Sequence, residues 1–174
     1  VLTHERNAIP LDGSDEDVML YAPLGCGFQA GAGTVLHELK PKAGQSLAVF
    51  GVGAVGLAAV MAGAVLGANP IIALDKVHSR LDLAKDLGAH VAININQEPI
   101  ENSLPTKVHT AVETTGSSQI INQAIRSLKA RGKISLLAIR ADEAPLIQPS
   151  SYQRVVESIA GDSNPQTFIP SLIA

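Results

Sequence analysis

Three glycines in Gly51-Val52-Gly53-Ala54-Val55-Gly56 follow the spacing G-x-G-x-x-G, and a carboxylate, Asp75, stands nineteen residues beyond the last of them. Backbone N–H groups in such a bend, at the positive end of a following helix, can hold a pyrophosphate. A carboxylate at the tip of the next strand can accept hydrogen bonds from ribose hydroxyls. Gly51 would permit the tight turn, Gly53 would let the backbone approach the phosphates, and Gly56 would let the helix lie close on the sheet. Asp75 would accept from both ribose hydroxyls of NAD and repel a 2'-phosphate, which favours NAD over NADP. Lys76 and Arg80 are near enough in sequence to soften that preference. The plain alternative is an ordinary strand-to-helix turn, with Asp75 capping the next helix. Three fixed positions in six carry little by themselves; the context of strand, turn, helix and second strand selects the dinucleotide reading.

The single cysteine, Cys26, cannot form an internal disulfide, so its thiol is structural, reactive or a metal ligand. By itself it would read as a small buried hydrophobe. His4, His37, His78, His90 and His109 are dispersed, and none shows the i, i+4 spacing of paired metal ligands. Surface or capping roles suit them.

The elements that must position these residues alternate along the chain. Apolar runs at 46–50, 71–74, 91–93, 108–112, 133–138 and 155–159 are predicted strands. Helical periodicity falls at 32–39, through the Ala-rich run after Gly56, at 81–87 and at 117–128, and a closing helix follows Pro165. Pro99 and Pro105 leave a short helix or none between 97 and 107, and Pro145 and Pro149 mark loop or edge. Strands that are near-continuous apolar runs, separated by helices, imply an α/β fold: a Rossmann doubly wound, six-stranded parallel sheet with helices on both faces. Residues 1–23 carry no sustained period and read as loop or linker, and 24–174 read as the NAD(P)-binding Rossmann domain. The chain has no initiator methionine and is read as part of a longer protein.

Composition narrows the partners. A formal net charge of -3 and a pI near 5.9 supply no cationic excess for nucleic acid or an anionic membrane. The apolar stretch 57–67 is short of the ~20 residues of a membrane helix. The N-terminus shows no targeting pattern, and the cysteine usage fits a reducing, cytoplasmic setting.

Three segments together carry a resemblance: Gly25-Cys26-Gly27-Phe28-Gln29-Ala30-Gly31-Ala32-Gly33, then Ala48-Val49-Phe50 leading into the glycine bend, then Glu113-Thr114-Thr115-Gly116. From about Leu24 to its end, the chain resembles the zinc-dependent medium-chain alcohol dehydrogenases, most nearly their aryl-alcohol (benzyl alcohol) branch. The resemblance implies reversible hydride transfer between a primary or secondary alcohol and NAD. It makes Cys26 a ligand of catalytic zinc, the other ligands lying in a separate catalytic domain of which residues 1–23 would be a remnant. Since catalytic zinc takes three protein ligands, this chain alone is expected to be inactive. It also places Arg80 near the adenosine ribose and Val55 against the nicotinamide. Thr114, Thr115 and Gly116 would line the cofactor groove, with Ala138 and Ile139 beside it; strand-end capping serves the two threonines equally well. Ala30 stands where the family has Thr, and Ala138 and Arg140 where it has Gly and Pro, so cofactor geometry is expected to differ. Family members pair through the sixth strand, which implies a homo-oligomer with an interface at 155–159. Two rivals remain: a non-catalytic NAD(H)-sensing module, and a zinc-free NADPH quinone reductase of the same superfamily. The first has no use for the cysteine motif, and Asp75 opposes the second.

Overall fold

Leu47, Ala48, Val49 and Phe50 are all fully buried, which requires a strand covered on both faces. The computed structural model describes residues 2–97, 100, 104, 106–150 and 152–173. Its sheet comprises β1 (Leu47–Phe50), β2 (Ile71–Asp75), β3 (Val91–Asn94), β4 (Val108–Glu113), β5 (Leu128–Leu136) and β6 (Arg154–Glu157). These lie in the order β3-β2-β1-β4-β5-β6, every pair parallel. The chain therefore starts at the centre, winds to one edge, returns, and winds to the other. Strand order reverses between β1 and β4, where open α/β sheets bind ligands beyond their carboxyl ends.

Side-chain alternation divides β1 between two cores. Leu47 and Val49 face one side, with Ile71, Val60, Leu81 and Phe168; Ala48 and Phe50 face the other, with Ile72, Ile121, Ile125 and Ile134. Helices α2 (Gly27–Gly33), α3 (Ala54–Val65), α4 (His78–Asp86) and α6 (Pro165–Ile173) contribute to the first core, and α5 (Ser118–Ser127) to the second. The predicted doubly wound sheet, covered on both faces, is thus the fold.

Several boundaries differ from expectation. Within 1–23, read as loop, α1 (Asp15–Tyr21) forms because Ser14 and Asp17 make a reciprocal capping box, satisfying N–H groups at its first turn. The helix expected at 32–39 begins at Gly27 and passes into a π-helical turn, Thr34–Leu39. β5 begins at Leu128 rather than 133 and ends at Leu136, because Val108 already pairs with Leu128 before the register shifts. β6 spans Arg154–Glu157, so Ile159 lies past the strand. The reading of 97–107 falls largely outside the described residues.

Candidate functional site

Beyond the carboxyl ends of β1, β2 and β4 lies a cleft of about 490 Å³. Its floor is the glycine bend: Gly51 (φ +86), Gly53, Ala54 and Val55 all line it. Gly51 adopts the left-handed backbone for which glycine carries no Cβ penalty, and its N–H donates to the carbonyl of Leu74 at 2.8 Å. A Cβ at Gly56 would lie 2.0 Å from the Gly51 carbonyl oxygen, so α3 can start this close to the turn only with glycine there. A Cβ at Gly53 would meet nothing within 4 Å. The space above Gly53 is open, as a backbone that receives a ligand requires.

Asp75 closes the β2 side. Its carboxylate is 6% exposed, and Oδ2 accepts from the Val52 N–H at 2.8 Å. Oδ1 accepts from the N–H groups of Lys76 (2.7 Å) and Val77 (3.0 Å). The side chain expected opposite the bend is therefore bonded to it directly. Three of its roughly four acceptor positions are filled, which leaves one on Oδ2. Arg80, with its side chain half exposed, approaches the same oxygen at 3.8 Å, and Arg80 and Lys76 both line the cleft.

On the β4 side, Thr114 and Thr115 line the cleft, but their hydroxyls also serve the fold. Thr114 Oγ1 donates to the carbonyls of Gly51 (2.8 Å) and Phe50 (3.1 Å), tying β4 to the bend. Thr115 donates from its N–H (2.6 Å) and its hydroxyl to Oε1 of Glu113. Glu113 is fully buried and also accepts from the Gly116 N–H at 3.2 Å. Burial pushes its carboxyl above the ordinary range, partly offset by these hydrogen bonds. Val52, Gly56 and Gly116 are buried behind the lining. Ala138 and Ile139 lie outside it, since β5 ends at Leu136; the Ile139 carbonyl packs on Gly116, where a Cβ would sit 2.3 Å away. Ser117, Ile95, Ile100 and Ile120 complete the walls and were not singled out from sequence.

Cys26 is an exposed free thiol at the N-cap of α2, so the buried-hydrophobe alternative falls. Its neighbour Gly27 packs against Ala54 and Val55, with a Cβ there 3.7 Å from each side chain. That contact seats the start of α2 against the first turn of α3, while Cys26 itself does not line the cleft. His90 and His109 cap strand starts, accepting on Nδ1 from the N–H of Ile71 (3.1 Å) and of Ser46 (3.0 Å).

A family model for zinc-binding dehydrogenases matches residues 54–171. The chain belongs to this family. It is 32% identical to a geraniol dehydrogenase of Castellaniella defragrans, over 99% of this chain and 48% of that protein. Among solved structures it superposes on the benzyl alcohol dehydrogenase of Acinetobacter calcoaceticus with a TM-score of 0.89 at 35% identity, covering 98% of this chain and 49% of that one. An alcohol dehydrogenase zinc-binding domain protein of Burkholderia ambifaria gives a TM-score of 0.83 at 39% identity, over 95% of this chain and 46% of its own. The chain thus spans about half the length of these relatives.

The zinc-binding dehydrogenase family implies a metal and a nicotinamide cofactor, and the residues present fit the two differently. The open space over Gly53, the bend beneath it and the carboxylate beside it suit a dinucleotide. For the metal, no group of three His, Cys, Asp or Glu able to hold an ion occurs among the described residues. Cys26 could give one thiolate and no more. No described helix of this chain is long and apolar enough to cross a membrane.

Proposed function

We propose that this chain is the NAD(H)-binding domain of an alcohol dehydrogenase that oxidises a primary or secondary alcohol, an aryl alcohol being the favoured class. The observation that carries the reading is the hydrogen bond from the Val52 N–H to Asp75, which locks the carboxylate against the glycine bend. The first turn of α3 offers its unpaired N–H groups to the pyrophosphate. Asp75 accepts from a ribose hydroxyl on its remaining Oδ2 position, and Arg80 flanks the ribose. Lys76, Thr114, Thr115 and Gly116 shape the groove, and Val55 orients the nicotinamide. NAD held there would supply the hydride acceptor for the alcohol carbon, and the part of this chain is to orient the ring.

Cys26 gives the full-length enzyme one zinc ligand, and the others come from outside these residues, so this chain alone is inactive. An exposed free thiol fits the reducing cytoplasm. Calorimetry on the 174-residue chain tests the cofactor assignment. NADH is expected to bind at least about tenfold more tightly than NADPH, since a 2'-phosphate would face Asp75. Asp75→Asn should erase most of that difference. Equal or tighter NADPH binding by the unsubstituted chain would overturn the reading in favour of a quinone reductase. For the metal, full-length Cys26→Ala should lose zinc and alcohol oxidation together.

A further inference from the structure

At the opposite end of the sheet, beneath the amino ends of β4, β5 and β6, lies a larger cavity of about 840 Å³. Its walls carry Lys129, Arg131, Lys133, Arg154 and His109, and no described Asp or Glu lines it. This is against the trend of a chain whose formal charge is -3. Among the described residues the one ion pair is Arg80 with Asp75, so none of the four cations has a carboxylate within 4.0 Å.

The backbone presents these charges deliberately. Between Val108↔Leu128 and Thr110↔Lys133 the pairing advances five residues on β5 against two on β4, so residues 129–132 bulge out of the ladder. Arg131 (φ +65) and Tyr152 (φ +63), both on the cavity wall, hold the left-handed backbone that side chains disfavour. His109 Nδ1 lies 3.0 Å from the Ser46 nitrogen and 2.8 Å from Ser46 Oγ, and its Nε2 lies 3.2 Å from the Lys129 ammonium, which holds Lys129 on the cavity wall. Burial, and then the Lys129 charge, hold the imidazole below its ordinary proton affinity, so it stays neutral beside the ammonium.

We propose that this cavity binds a small phosphate-bearing anion, whose oxygens accept from Lys129, Arg131, Lys133 and Arg154 on its walls. It is separate from the dinucleotide cleft and does not depend on that assignment.

Inorganic pyrophosphate titrated into the 174-residue chain, followed by amide NMR, tests the proposal. Shifts are expected at His109, Gly132 and Lys133. Lys129→Gln and Arg131→Gln should each weaken binding about tenfold, and Arg80→Gln should leave it unchanged. Three results would overturn the site: no shifts around Gly132; shifts confined to Gly51 and Gly53 and lost in Arg80→Gln; or shifts at Gly132 that sodium chloride at matched ionic strength reproduces. Tighter binding of citrate than of pyrophosphate would overturn the assignment to phosphate.

Discussion

A methyl group at Gly56 would stand 2.0 Å from the Gly51 carbonyl, whereas one at Gly53 would stand in empty space. Three positions apart, the two glycines are needed for different reasons. Gly56→Ala must push α3 off the turn, at a cost of about 1–3 kcal/mol, and should lower Tm by ~2–4 °C for each kcal/mol. Gly53→Ala keeps an allowed backbone (φ -71, ψ -165) and changes only an N-cap, so Tm should fall by no more than about 2 °C. Its methyl nevertheless occupies the cleft, and NADH affinity should drop at least about tenfold. Thermal melts and calorimetry on the two variants check both statements; a Gly53→Ala chain that binds NADH normally would remove this glycine from the site. These residues were legible in the sequence because fixed spacing encodes a local turn. Ser117, Ile95 and Ile100 were not, because tertiary packing alone brings them to one wall.

Glu113 shows how one side chain organises the junction between β4 and α5. Its carboxylate draws in the N–H groups of Thr115 and Gly116, and Thr114 reaches across to the carbonyl of Gly51. The cleft side of β4 is thus tied to itself and to the bend. The cost is a carboxyl whose pKa burial pushes above the ordinary 4.5 of a glutamate. The native state then keeps a proton that the unfolded chain has lost, so stability is greatest below that value and falls as pH rises through the folded pKa. Glu113→Gln retains an acceptor and has no such proton. In urea unfolding, the midpoint of the unsubstituted chain should therefore decline relative to Glu113→Gln as pH rises from 4.5. A difference between the two that is constant with pH would contradict this account. At the scale of elements, the long apolar strands and the helices between them were legible from periodicity. The bulge that starts β5 early and the capping box that starts α1 were not, since the first depends on pairing with β4 and the second on a single side-chain reach.

The described residues form a cleft at the carboxyl ends of the strands, a basic cavity at the amino ends, and an edge strand, β6. Ser158 donates to the Leu136 carbonyl, and Val155 and Glu157 pair with Ile134 and Leu136. In parallel register this turns the N–H and C=O groups of Val155 and Glu157 away from the sheet. Just past the strand, Ile159 is 91% exposed. A bare edge beside an exposed apolar side chain is a surface that proteins otherwise protect or pair. We therefore propose that two copies join their sheets through residues 155–159, as the family resemblance implies. Sedimentation velocity should show a dimer. Ile159→Asp, which alters no packed contact, should keep the melting temperature while raising the dimer dissociation constant at least about tenfold. A chain that sediments only as monomer at high concentration, or an Ile159→Asp variant that dimerises unchanged, would place the interface elsewhere or remove it.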